Sequence, residues 1–388
     1  MENTNSKKNK QNSKSKSKSK KKIKKLQSPS KNSGNLINNL SIYLGTYEGK
    51  IIVNNIDIKT KCITNNFSFS SSQNAIRTIY HKDNSLFVSG LDEIIHIFDI
   101  NHKTSEGDLM TYSGSINDIK VHDNYLIAAG DEVTIPIWRM KDFNNILELK
   151  GHKKSINSFD IHSSGGFLVS CSKDQSVILF DLLTGRKIKK FEFDYICNKV
   201  ELFNKDNYLL LVFDLHIFIM DLMKNTNISS ENDKDNNVLQ KMNFSKKIIN
   251  AYIIKTKLVV IFSDAEIKTY ELNINEDEKE NKEKTENVVN LGSEISLFFE
   301  KPEKKDENDL DIKVRFISIS KIEKIKIITI SYSNNEVFFY DLNKIIKYEE
   351  LNETETKEHN NKIIKKYGKL EYNIPGKITA LDTELTKK

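Results

Sequence analysis

The sequence predicts an all-β fold, a closed β-propeller of seven four-stranded blades with a disordered basic N-terminal arm. Three observations predict it. Short apolar or alternating runs rich in Ile, Val, Phe and Tyr recur, such as "KIIVNNI", "IIHIFDI" and "SVILFDL", bounded by Gly, Asn, Asp and Ser. Such runs are the mark of strands joined by tight turns. A large apolar or aromatic residue, usually followed by an acid, ends a strand at Phe98, Trp138, Phe180, Met220, Tyr270 and Tyr340, with spacings of 40, 42, 40, 50 and 70. The first three match the roughly 40–45 residues of a propeller blade. Six residues before five of these anchors stands Asp92, Asp174, Asp214, Asp264 or Asn334, the fixed offset of a tight turn followed by a strand.

The arm comes first, at residues 1–35. Residues 1–33 hold twelve Lys and one acid, Glu2, leaving 48 basic and 53 acidic residues for the rest. A Lys/Ser/Asn tract of this kind buries too little apolar surface to offset chain entropy. The mildly acidic body is not, on net charge, a nucleic-acid-binding surface. The propeller occupies residues 36–388. Six blades are expected at 75–112, 115–149, 155–191, 196–244, 247–291 and 295–351. Strands at 41–69 and an isolated strand at 376–383, "GKITALDT", remain. Together they make a seventh blade whose inner strand comes from the C-terminal segment, which closes the ring without a long free edge. Pro375-Gly376 is the expected turn into that strand. Low-complexity loop insertions are expected at 224–237, 275–287, 300–311 and 352–362. Pro136 falls inside the strand "VTIPIW", where it cannot donate to a ladder, so a bulge is expected there.

Composition narrows the function. Cys62, Cys171 and Cys197 lack a CxxC spacing, which fits a reducing compartment and opposes a disulfide framework or a zinc site. No apolar run approaches the ~20 residues of a membrane span, so no membrane association is expected. The sequence has no P-loop, GxGxxG or HExxH, so neither a catalytic residue nor a cofactor nor a metal is assigned.

One stretch, "GHKKSINSFDIHSSGGFLVSCSKDQSVILFD" (151–181), carries Ser, His and Asp and invites a hydrolase reading. It lacks the GxSxG nucleophile elbow. Instead it resembles a WD repeat, with Phe180-Asp181 in place of Trp-Asp. The resemblance implies a buried structural hydrogen-bond network of His152, Ser170 and Asp174, weakened because Phe180 lacks an indole N–H. Asp92, Asp214 and Asp264 are the corresponding repeat-turn acids. Phe98, Trp138, Phe180, Tyr270 and Tyr340 are the blade anchors.

The run from "LFVSGLDEIIHIFDI" through "GDLMTYSGSINDIK" to "LKGHKKSINSFDIHSSGGFLVSCSKDQSVILFDLLTGR", with "YLGTYEG" near the N-terminus, is similar to the PAK-interacting WD-repeat proteins. That family comprises nucleolar assembly factors of the large ribosomal subunit. The resemblance implies a non-catalytic scaffold in ribosome biogenesis, in the nucleus and nucleolus. Its partners would be pre-ribosomal proteins and assembly factors, with the protein monomeric inside a larger particle. The alternative is a negative regulator of a Rho-GTPase-activated protein kinase. In the arm, Lys18, Lys20, Lys21, Lys22, Lys24 and Lys25 form a candidate nuclear-import signal and a candidate ribosomal RNA contact. The family carries its Lys-rich tail at the C-terminus, whereas here it is N-terminal.

Overall fold

The computed structural model describes residues 37–57, 60, 63–71, 74–110, 113–222, 238–274, 289–300, 302, 311–322, 325–343, 362–364, 368–369, 374 and 377–387. The arm at 1–35, with the six lysines of the candidate import signal, lies outside the described residues, as do nearly all of the four expected insertions and the Pro375-Gly376 turn.

The described strands form seven sheets, antiparallel throughout their first four strands, so the chain is a seven-bladed β-propeller. Blade 1 comprises Ile76–Lys82, Ser85–Gly90, Ile95–Asp99 and Thr104–Leu109. Blade 2 comprises Ile116–His122, Tyr125–Gly130, Thr134–Arg139 and Asn145–Lys150, and blade 3 Ile156–Ile161, Phe167–Ser172, Ser176–Asp181 and Lys187–Glu192. Blade 4 comprises Cys197–Phe203, Tyr208–Phe213, His216–Asp221 and Val238–Asn243. Blade 5 runs Ile248–Ile254, Lys257–Phe262, Glu266–Ile274 and Val289–Phe299, and blade 6 Val314–Ile322, Ile325–Tyr332, Val337–Asp341 and Gly368–Lys369. Blade 7 joins Ile378–Lys387 to Ile37–Thr46, Lys50–Asp57 and Ile63–Ser70. Ile378–Lys387 pairs antiparallel with Ile37–Thr46 from Ile37↔Lys387 to Thr46↔Ile378. The first strand of each blade contacts the first strand of the next, so they form a closed ring.

The outer strands of blades 5 and 6 differ from the expected blade limits. Residues 295–299 belong to blade 5, not blade 6, because the long third strand Glu266–Ile274 pairs with Val289–Phe299 from Ile274↔Val289 to Glu266↔Phe298. The short outer strand of blade 6, Gly368–Lys369, lies beyond residue 351. Lys362–Ile364 adds a parallel fifth strand to blade 5. Anchor spacing reports third strands, so it carries no information on where a fourth strand returns after an insertion.

The blades share two irregularities, the second of them in all but blade 6, whose outer strand pairs only at Phe338 and Phe339. The register between first and second strands shifts at one equivalent position in all seven, including Ile76/Thr78, Ile116/Asp118, Ile156/Ser158 and Cys197/Lys199. A second shift lies between third and fourth strands, as at Ile97/Phe98, Ile137/Trp138 and Leu179/Phe180. Bulges raise local twist, which a radial stack of small sheets requires. The bulge at Ile137/Trp138 is therefore common to the blades and is not produced by Pro136. What Pro136 changes is the other edge. Ile137, Trp138 and Arg139 pair with Tyr125–Gly130, and the ladder stops at the proline, which has no N–H.

The anchors seal the seams. Phe98 is buried among residues of blades 7 and 1, Trp138 among blades 1 and 2, and Phe180 among blades 2 and 3. Tyr270 packs between blades 4 and 5, and Tyr340 between blades 5 and 6. Each therefore packs back onto the preceding blade. Phe180→Ala is expected to cost about 3–5 kcal/mol, the usual penalty for truncating a buried Phe, read by denaturant unfolding. Removing residues 378–388 is expected to abolish cooperative unfolding and promote association, because it opens the ring and exposes the edge of Ile37–Thr46. Light scattering and a melting curve check this; a truncated chain with the full-length Tm would contradict closure.

Candidate functional site

The second-to-third-strand turn of blade 3 shows why the repeat needs its acid. Lys173, Asp174 and Gln175 form a three-residue loop, with Gln175 N–H donating to Ser172 O at 3.2 Å and Gln175 at φ 65°. This is the hairpin geometry of a turn closed by a left-handed residue. The Asp174 carboxylate then accepts from Ser176 N–H at 3.0 Å, from Ser176 Oγ at 2.6 Å and from Lys153 N–H at 2.8 Å. Asp264 and Asn334 repeat the local part of this pattern, accepting from Glu266 N–H at 3.2 Å and Glu336 N–H at 3.1 Å.

His152, Ser170 and Asp174 are brought together. His152 Nδ1 lies 3.1 Å from Asp174 Oδ2, and Nε2 lies 2.7 Å from Ser170 Oγ. Burial lowers the His152 pKa despite the pull of Asp174, so the ring is neutral at pH 7. Facing a carboxylate, Nδ1 carries the proton and donates it; Nε2 then accepts from the Ser170 hydroxyl. Burial pushes the Asp174 carboxyl up, but hydrogen bonds from Ser176 and Lys153 N–H and the neighbouring His152 outweigh it and hold it at about 2. The connectivity is that of a Ser-His-Asp triad. Yet Ser170 is 0% exposed and His152 6%. A hydroxyl sealed in a sheet cannot meet a substrate, so the network pins the loop before the blade to the turn within it.

The other turn acids do not form this network. Asp92 Oδ2 binds Nε2 of His96 at 2.9 Å, a histidine of the third strand, whose Nδ1 lies 2.6 Å from Asp108. Asp214 accepts from Asn198 Nδ2 at 2.8 Å, and Asp264 from Lys246 Nζ at 2.7 Å, both at the surface. The anchors and network also fail to coincide. Blade 3 has Ser170 but Phe180; blade 2 has Trp138 but Ala128 at the position of Ser170, and the indole N–H of Trp138 meets no acceptor among the described residues.

Sequence reasoning missed a second constellation, one polar position in the middle of every first strand. Tyr80, Lys120, Asp160, Glu201, Tyr252, Ser318 and Asp382 occupy it. Six of them reach the next blade. Tyr80 Oη donates to Val121 O at 3.5 Å, and Lys120 Nζ to Asp160 Oδ1 at 2.8 Å. Asp160 Oδ2 accepts from Leu202 N–H at 2.7 Å, and Tyr252 Oη donates to Ile317 O at 3.1 Å. Ser318 Oγ meets Thr383 Oγ1 at 2.8 Å, and Asp382 Oδ2 accepts from His81 N–H at 2.9 Å. At the seventh, Glu201 holds Lys199 Nζ at 3.0 Å, which also reaches Ala251 O at 3.4 Å. The bulged Asn117 and Asn157 add bonds to Ile156 O and Cys197 O, each 2.8 Å. The first four of these positions are 40, 40 and 41 residues apart, the repeat period itself, but the residue types share no motif. Ser-Ile-Asn at 115–117 and again at 155–157 was the readable trace.

Burial pushes the carboxyls of Asp118 and Asp382 up, that of Asp382 to about 6 even against hydrogen bonds from Thr383 and His81. A carboxyl whose folded pKa is raised favours the protonated, low-pH side. Folding stability is therefore expected to fall as pH rises from about 4 to about 6, and Asp382→Asn should remove that component. Asp174 has the opposite sign, contributing above about 4 and losing its contribution as pH falls toward about 2. Asp174→Ala is expected to cost about 1–3 kcal/mol by stranding buried partners. Melting curves of the three proteins from pH 3 to pH 8 check both signs; parallel curves would contradict them.

Among the described residues no group of His, Cys, Asp or Glu could hold a metal ion. The WD domain, G-beta repeat, matches residues 143–181, which cover the last strand of blade 2 and the first three of blade 3. The chain is 24% identical to Protein MAK11 of Saccharomyces cerevisiae over 191 residues, covering 41% of this chain and 46% of that protein. It is 27% identical to p21-activated protein kinase-interacting protein 1-like of Danio rerio over 96 residues, 24% of this chain and 26% of that protein. It is likewise 27% identical to pre-mRNA-processing factor 19 of Bos taurus over 112 residues, 28% of this chain and 22% of that protein. Each match spans less than half of the relative's own length. With the seven-bladed ring, these matches agree with the resemblance carried by the consecutive repeats: the chain is a WD-repeat propeller, similar over part of its length to the PAK-interacting WD-repeat proteins.

Proposed function

We propose that the chain is a non-catalytic WD-repeat scaffold in ribosome biogenesis, which helps assemble the large-subunit precursor and supports its ribosomal RNA maturation. The observation that carries this reading is the similarity of consecutive repeats to the PAK-interacting WD-repeat proteins, supported by the yeast and fish relatives. The chemistry of the ring agrees with it. The Ser-His-Asp constellation of blade 3 is sealed in its sheet, and the polar groups of the first strands are spent on holding blades together. What the fold offers a partner is rigid, side-chain-bearing rims. The partners are pre-ribosomal proteins and assembly factors, met by a single copy of the chain within the particle. The basic arm supplies nuclear import and a phosphate contact to ribosomal RNA. The site of action is the nucleus, and within it the nucleolus.

Sucrose-gradient fractionation of nuclear extract carrying a tagged chain tests this. The tag is expected to sediment with unprocessed large-subunit RNA, to be absent from mature subunits, and to shift to light fractions after nuclease. A tag confined to light fractions and bound to a protein kinase would overturn the reading in favour of kinase regulation, the interaction that the fish relative's name describes.

A further inference from the structure

One end of the ring carries the turns between second and third strands together with the connections between blades. Tyr47, Leu91 and Val133 stand in those turns on blades 7, 1 and 2, and Met110 follows the last strand of blade 1. They are 61%, 49%, 40% and 69% exposed respectively. The rim beneath them is fixed. Leu91 N–H donates to Ala75 O at 3.1 Å, and Tyr47 N–H to Lys377 O at 2.7 Å. Arg77 Nη1 lies 3.6 Å from Asp131 Oδ2, tying blade 1 to the blade 2 turn. Apolar side chains grouped on a rigid, exposed rim mark an interaction site.

Acids flank each turn. Glu48 follows Tyr47, Glu93 lies two residues after Leu91, and Asp131 and Glu132 precede Val133. The cations among them are Lys50 and Arg77, engaged by Glu48 at 3.1 Å and by Asp131, and the exposed Lys377 beside Tyr47. With Asp92 of the Leu91 turn, five acids against three cations among the described residues leave the patch negative. On blade 3 the rim changes sign, with exposed Lys153, Lys154 and Lys173 bounding the patch.

We propose that this rim of blades 7, 1 and 2 docks an extended Lys/Arg-rich segment of a partner protein, one that carries apolar side chains between its basic ones. The apolar side chains of the segment cover Leu91, Met110 and Val133, while its cations meet the flanking acids. The same charge repels an acidic peptide and the phosphate backbone of nucleic acid. The inference rests on the reading of the chain as a binding scaffold and is independent of which particle it joins.

Fluorescence anisotropy with the full chain tests it, using labelled peptides of about twelve residues, a length that spans several rim contacts. In one peptide Lys and Leu alternate, in a second Lys and Ser, in a third Glu and Leu. The Lys/Leu peptide is expected to bind saturably and about tenfold tighter than the Lys/Ser peptide, a gap of about 1.4 kcal/mol. The double variant Leu91→Ser with Val133→Ser should lose about that factor. Glu93→Lys with Glu132→Lys should weaken the Lys/Leu peptide and strengthen the Glu/Leu peptide, a swap that no general loss of structure produces. Melting curves confirm folding, and Tyr47→Ser serves if a double variant fails to fold. Equal binding of the Lys/Leu and Lys/Ser peptides, or unchanged binding by both double variants, overturns the proposal. That failure would leave co-sedimentation with precursor particles intact, so the two readings fall separately.

Discussion

A ring of small sheets has a weak point at each seam. Within a blade, four strands share ladder hydrogen bonds; between blades no ladder runs. The first strands stand side by side around the ring, and only side chains can join them. This chain meets the constraint with one polar residue per first strand, from Tyr80 to Asp382, and bonds cross every seam. Burial makes such bonds matter, since a polar group removed from water is costly unless paired. Outside this polar ring, the anchors Phe98, Trp138, Phe180, Tyr270 and Tyr340 fill the same seams with apolar contact. The ring closes within blade 7, where two distant parts of the chain share a sheet.

The ring is legible in the sequence where periodicity is enforced by geometry. A tight turn must present a residue that accepts from the backbone two residues on, so Asp174, Asp264 and Asn334 recur at one offset from their anchors. A third strand is buried on both sides, so its apolar run stands out. Less was legible where several residue types solve one problem. Tyr, Lys, Asp, Glu and Ser all bridge first strands, and no motif scan joins them. Outer strands were the least visible. They face solvent, need no fixed pattern, and after an insertion can return anywhere, as Gly368–Lys369 does.

The blade 3 network shows why a constellation of residue types is not a site. Its bonds match those of a hydrolase triad, but its hydroxyl is sealed. The same polar chemistry that would activate a nucleophile at a surface becomes, when buried, a clamp between a loop and a turn. In the proposed scaffold, binding falls to the rims, where the turns between strands present side chains. Rigidity is what such a surface needs, because a pre-set patch gives up little entropy on binding.

Hydrogen exchange read by mass spectrometry on the full chain tests the central claim, that seam bonds and the shared blade make the ring one cooperative unit. The account predicts that Ile378–Lys387 and Ile37–Thr46 exchange together, as slowly as the central strands of blades 2 and 3. Rapid exchange in Ile378–Lys387 while those blades stay protected would contradict it.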